Sequence, residues 1–340
     1  MSDRGLWKRL SQVSASRLWL GFSLSLLAVY LSVRDVQWHE VVQALSRTDR
    51  LAILLALCTV LLNTWLKAAR WRLLFYPFHS QLAVRACLLA LLVGQLANKL
   101  LPARLGDLAR VYVIGERAKI SKALALATTV VEKAVDSVVL LCLIALVSLR
   151  VPMPPWLARS TVLLSGILAA LLFAMIILAN QGWKIVHILQ NRWEGRAPSA
   201  WLHAVRGLVE AGQSLGALSD PRVQTQVWAW SWLIWITATA TNVLTFLALG
   251  LGANLIPSLV LLVVLMTGAA LPSSPLQMGV FHYSCVLTLS LFGIEPSLAL
   301  SYGLVLHLIV HLPIVVGGAV GLWVGGVHLG QFDGSRIAEG

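Results

Sequence analysis

This sequence has little charge: 12% of its 340 residues are Asp, Glu, Lys or Arg, 58% are hydrophobic, and mean hydropathy is +0.81. So little polar surface cannot enclose a soluble core of this size, and several runs approach 20 apolar residues, which excludes an ordinary globular protein. Acids are scarcest, 14 against 26 Lys and Arg, for a net charge of +12. Those cations are dispersed among apolar runs rather than gathered on a polar domain. They therefore argue against nucleic acid and for a positive-inside bias with attraction to anionic lipid. The cysteines, Cys58, Cys87, Cys142 and Cys285, stand singly with no CxxC or His/Cys ligand spacing and read as inert core thiols. No GxxxxGK[ST] sequence occurs, so neither an ATP-driven step nor a cofactor is expected. Ten-residue alternation is missing too, which excludes a transmembrane barrel and leaves helices. The expected fold is all-α, a polytopic membrane protein of about six full spans plus two re-entrant broken-helix segments.

Lys/Arg placement gives the path. A basic N-terminus with no small-x-small cleavage signal precedes a first span at about 18–33, so an uncleaved first helix with a cytoplasmic N-terminus is expected. Arg34 to Arg50 reads as a charge-balanced outer loop, and a second span at about 51–66 returns to flanking cations Lys67, Arg70 and Arg72. Leu82–Leu101 is long enough to cross, but crossing would put Arg104, Arg110, Arg117, Lys119 and Lys122 outside. A re-entrant pair of half-helices broken near Pro102 keeps them inside. A span at about 123–149 follows, then VPMPP, which cannot continue a helix, and a return span at Thr161–Ala179. Residues 180–226 read as a cytoplasmic loop with an amphipathic helix from a cap at Ser199 through Leu215. Val227–Leu249 crosses with Trp228, Trp232 and Trp235 on one face as anchors or packing residues. Ser258–Leu271 is short enough to be re-entrant before Pro272 and Pro275, Val280–Phe292 follows, and the last span lies at about 297–326.

The whole chain thus reads as one integral membrane domain with repeat halves 1–150 and 158–326. Each half holds two spans, a Pro-x-x-x-Gly break (Pro102–Gly106; Pro275–Gly279) and a span with an i,i+4 polar pair (Glu132 and Asp136; His307 and His311). Inverted halves whose broken helices meet near the midplane are a recurring transporter plan.

The acids carry most of the argument. Each charged residue at a helix centre costs about 2.5–3.5 kcal/mol on insertion scales, while each Leu, Ile or Val returns only about 0.3–0.6 kcal/mol. Val138–Leu149 offsets one of Glu132 and Asp136, not both. Their helix must face protein, water or a cationic partner. The densest polar cluster, Asn98, Lys99, Pro102, Arg104, Gly106, Asp107 and Arg110, surrounds the first break. Proline removes a donor and glycine admits close approach, so free amides there beside three cations suit a phosphate. An Asp107–Arg110 pair is the structural alternative. Lys133 points away from Glu132 and is free to snorkel. His307 and His311 share a face without a third metal ligand nearby in sequence, so core histidines or a protonation site are expected rather than a metal.

Three ordered motifs carry a family resemblance. Asn98…Leu101-Pro102-Ala103-Arg104…Gly106-Asp107…Arg110, Val131-Glu132-Lys133…Asp136, and Pro272-Ser-Ser-Pro275…Gly279-Val280-Phe281 resemble the membrane region of lysylphosphatidylglycerol synthases and their stand-alone flippase-like relatives. The resemblance runs from the first span to the last. It implies a lipid substrate, variously an aminoacylated phospholipid, a hopanoid or a lipid-linked sugar. Asp107 replaces a Glu that the family favours, Lys133 an Arg, His282 a Glu, and His307 stands where Arg is common. If those last two positions pair, this chain has exchanged an ion pair for two titratable rings. No soluble aminoacyl-transfer domain is present in this sequence, so synthase activity is not expected.

The resulting expectation is a bacterial inner-membrane lipid translocase, not an enzyme. Its substrate-binding residues would be Asn98, Lys99, Pro102, Arg104, Gly106, Asp107, Arg110, Glu132, Asp136, Pro275, Gly279, Phe281, His282 and His307. Its expected partners are anionic or aminoacylated phospholipid, hopanoid or polyprenyl lipid, with a homo-oligomer or a lipid enzyme as protein partner. The alternatives are a membrane glycosyl- or lipid-modifying transferase, for which Asp35, His39 and Glu40 would supply acids, and a non-catalytic partner of a lipid enzyme.

Overall fold

The computed structural model describes residues 21–76, 79, 81–100, 105–149, 220–269 and 273–325. Among them there is no strand. The helices are α1 (Gly21–Val33), α2 (Trp38–Ser46), α3 (Arg50–Leu73), α4 (Val84–Leu100), α5 (Gly106–Ala118), α6 (Lys122–Ser148), α7 (Pro221–Ala248), α8 (Leu255–Gly268), α9 (Val280–Ser290) and α10 (Pro296–Gly325). A 3₁₀ turn, Pro275–Gln277, precedes α9. Three of these, Arg50–Leu73, Pro221–Ala248 and Pro296–Val324, are long and apolar enough to cross a bilayer, and the protein is an all-α membrane protein. The span at 161–179, the amphipathic helix at 199–215, Pro102 and Arg104 lie outside the described residues.

Two readings are corrected. Residues 34–50 are not simply a loop, because α2 occupies Trp38–Ser46. Trp38, Val41, Val42 and Leu45 recur at helical spacing, Val41 is buried, and the Gln37 N–H donates to Ser297 Oγ (3.0 Å). The second span does not stop at residue 66. With Asp49 Oδ1 accepting the Leu51 N–H at its start (2.8 Å), α3 continues to Leu73, so Lys67, Arg70 and Arg72 are helical rather than flanking. Cys87 and Cys285 are buried as expected, but Cys58 and Cys142 are exposed on the surface of the helices.

The chain forms two compact units whose boundary falls within α3, α4, α5, α7 and α10. The first comprises 1–62, 95–106 and 237–320. Its core joins Phe246 and Leu261 to Phe281, Cys285, Leu289, Tyr302 and Leu306. Tyr302 packs on Phe246 (centroids 4.5 Å) and donates its hydroxyl to the Asn242 carbonyl, while Asn242 Nδ2 donates to the Ser258 carbonyl. Buried polar groups are thereby paired. The second unit comprises 63–94, 107–236 and 321–340. Among its described residues Trp71 is the largest fully buried side chain, donating Nε1–H to Thr128 Oγ1 (3.0 Å) and meeting Phe75 edge-on.

Candidate functional site

The second unit holds the acids. On α6, Glu132 and Asp136 lie one turn apart on one face. Across from them α3 supplies Arg70, whose position follows from spacing: Leu66, Arg70 and Leu74 recur every fourth residue, and all three are essentially inaccessible. Arg70 grips Asp136 with both terminal nitrogens (2.5 and 3.0 Å), donates Nη1–H to Ser231 Oγ on α7 (2.9 Å), and brings Nη2 within 3.6 Å of Glu132. Arg110, from α5, donates Nη1–H to the other Glu132 oxygen (2.9 Å). Its Nε lies 3.5 Å from Asp107, and its guanidinium covers the Trp71 ring at 4.9 Å. Glu132 is thus held between two guanidiniums.

Exposure grades across this network. The Glu132 side chain is 5% accessible, while Asp136 is 27%, Asp107 29% and Lys133 54%. One end is closed by packing and the other opens outward. At the open end Lys133 reaches Asp107 (3.6 Å) rather than Glu132. Lys67, one turn before Arg70 on α3, interacts electrostatically with Asp136 and Glu132. Four cations (Lys67, Arg70, Arg110, Lys133) therefore face three carboxylates (Asp107, Glu132, Asp136). Arg110 Nη2 and Arg70 Nε are buried without a hydrogen-bond partner among the described residues. An arrangement with surplus positive charge can attract an anion to its open edge, and its exposed carboxylates can meet an ammonium group.

The first unit gathers the two breaks. Asn98, in the last turn of α4, accepts the Gly106 N–H on its Oδ1 (2.8 Å), filling the role of a cap for α5 from eight residues upstream. Lys99 donates to Gln277 Oε1 (2.9 Å) in the second break. There Leu276 and Gln277 both adopt left-handed backbone, with φ of 58° and 59°. Non-glycine residues in that region are strained, and such strain concentrates at functional turns. Gly279 follows at φ 85°, and a Cβ there would collide with the Ser25 carbonyl oxygen of α1. His307 bonds the Leu276 carbonyl (3.0 Å), His311 stacks on His307 (4.0 Å, 16°), and His282 lies 4.9 Å from His307. Phe281 presents itself edge-to-face to all three rings. Among the described residues no set of three or more His, Cys, Asp or Glu is arranged to hold a metal.

The expected residues fall into two groups. Asp107, Arg110, Glu132 and Asp136 share the ionic network, and Asn98, Lys99, Gly106, Pro275, Gly279, Phe281, His282 and His307 cluster around the breaks. Arg70, Trp71, Ser231 and Gln277 escaped the sequence reading. The fourfold Leu66–Arg70–Leu74 spacing was the signal for Arg70, while nothing local marks Ser231 or Gln277.

A family model described as the lysylphosphatidylglycerol synthase TM region matches residues 18–318. No curated protein and no solved structure matches the chain.

Proposed function

Because the chain belongs to the lysylphosphatidylglycerol synthase transmembrane-region family, we propose that it carries a phospholipid or lipid-linked headgroup across the bacterial cytoplasmic membrane. The observation that supports this most is Glu132, buried in a helix of a membrane protein between Arg70 and Arg110, at the closed end of a network that opens through Asp136, Asp107 and Lys133. Ionisable groups buried among the helices of a membrane protein are costly and mark pathways for polar cargo. In this reading the surplus positive charge meets the lipid phosphate. The exposed edges of Asp107 and Asp136 accept a cationic substituent, as on an aminoacylated lipid. With no nucleotide-binding motif in the sequence, movement follows a lipid gradient or is coupled to an ion.

Reconstituted liposomes test it. Vesicles with the protein should exchange fluorescent phospholipid between leaflets, and Glu132→Gln should reduce exchange to the rate of empty vesicles. Lys133→Gln alters the open edge, and Asp107→Asn weakens one contact to Arg110 while leaving the Arg110–Glu132 and Arg70–Asp136 bonds in place, so both should slow exchange while the protein remains folded. Equal rates in wild type, variants and empty vesicles refute the proposal.

A further inference from the structure

The histidine cluster has no part in the ionic network, and its hydrogen bonds dictate where its protons sit. A carbonyl oxygen only accepts, so the ring nitrogens that meet one must donate: His307 carries its proton on Nε2, facing Leu276, and His311 on Nδ1, facing the His307 carbonyl. The opposite nitrogen of each ring is a lone pair. That of His311, Nε2, is buried with no hydrogen-bond partner among the described residues, on a side chain in a residue only 4% exposed. A proton can therefore be added without breaking a bond. A second cannot follow easily, because two imidazolium rings stacked at 4.0 Å repel in a poorly solvated site.

From this geometry we propose that His282, His307 and His311 form a single-proton binding site whose occupancy is read by the turn at 275–279. Within that turn, left-handed at Leu276 and Gln277, the Gln277 N–H donates to the Ser274 carbonyl and Ser274 Oγ to the Met278 carbonyl, and two side chains from neighbouring helices add to this, His307 on the Leu276 carbonyl and Lys99 on Gln277 Oε1. Burial is what most opposes a charge on His307 and His311, and Lys99 is the cation whose charge adds to that opposition on both rings. Protonating the cluster sets a second positive charge against Lys99, weakens its bond to Gln277, and lets the strained turn relax. Further ionisable side chains on the packed elements are Tyr30 of α1, Arg50 and Cys58 of α3, Tyr283 and Cys285 of α9 and Tyr302 of α10. As a coupling site for transport this rests on the lipid-translocation reading, but as a proton switch on the turn it stands apart from it.

Met278 lies within the turn and is 51% exposed, which makes its methyl group a reporter. The full chain in lipid nanodiscs, labelled at methionine methyls and histidine rings, is titrated by NMR, with Met278 assigned by Met278→Leu. One ring should protonate first, and the Met278 methyl should shift with the same midpoint. The next protonation should fall more than about one pH unit lower. In His307→Gln/His311→Gln, whose amide can still donate to Leu276, Met278 should lose its pH response while Met266 of α8 keeps its wild-type signal. Lys99→Met leaves the rings intact: their midpoint should rise, and Met278 should stop following it. A Met278 signal indifferent to pH, both stacked rings protonating at one midpoint, or a Met278 response that survives Lys99→Met would each overturn the proposal. Loss of lipid exchange with this titration intact counts against the transport reading alone.

Discussion

Arg70→Met separates the architecture of the ionic network from its use. The guanidinium is wholly inaccessible, grips Asp136 with two nitrogens and stands 3.6 Å from Glu132, so removing it strips Asp136 of its closest counter-charge. Removing one member of a buried pair costs about 3–5 kcal/mol. The lower end applies, since Asp136 is 27% accessible, Glu132 keeps Arg110, and Ser231 already donates to the Val227 carbonyl. At no more than about 2 °C per kcal/mol for a chain of this size, 3 kcal/mol corresponds to a fall of about 6 °C in melting temperature. The partner substitution decides the cause. In Arg70→Met/Asp136→Leu both charges are gone, and replacing a buried pair by apolar side chains is close to neutral. Melting followed by tryptophan fluorescence in detergent should show the single variant well below wild type and the double variant most of the way back. Equal losses in both, or none in the single variant, would refute the claim that Arg70 acts as a counter-ion.

Other substitutions test single contacts. Gly279→Ala must tolerate both a left-handed backbone and a collision with the Ser25 carbonyl, so it should lower folded yield. Gly250→Ala and Gly293→Ala, at φ 70° and 74° with open space around them, should cost only the backbone term of about 1–2 kcal/mol. Size-exclusion profiles of the three proteins make that comparison. Trp71→Phe keeps most of the buried ring but loses the bond to Thr128 and weakens the face offered to Arg110, a destabilisation of about 1–2 kcal/mol in a thermal melt.

The acids were legible because hydropathy arithmetic does not depend on tertiary structure. Glu132 and Asp136 are too costly for an unaided apolar helix wherever the chain leads it, and burial between arginines is the form the compensation takes. Which cations compensate was only half legible. Arg110 was marked by its place after the Pro-x-x-x-Gly break, but Arg70 sits at a run of cations that reads equally well as a span flank, until α3 is seen to continue seven residues past 66. The positive-inside argument weighs charges by position relative to a span end, and it fails when the end itself is misplaced. The helix α2 was missed for a related reason: a nine-residue amphipathic segment among charges has too few turns to outweigh a loop reading. The pairing of Lys99 with Gln277 joins residues 178 apart and leaves no local trace.

The charge balance yields a last test, because a network built only for stability has no use for a fourth cation. Lys67 is that cation by position: Arg70 and Arg110 are committed to Glu132 and Asp136, and Lys133 to Asp107. Lys67→Met leaves three cations against three carboxylates and keeps an unbranched side chain of similar length in a half-buried site. If the surplus charge serves an anionic lipid, melting temperature in detergent should hold or rise, while retention of phosphatidylglycerol over phosphatidylcholine by the purified protein should fall. A melting temperature that drops as far as in Arg70→Met would instead make Lys67 a structural counter-ion for Asp136. That result would remove the excess positive charge on which phosphate recognition at this site depends.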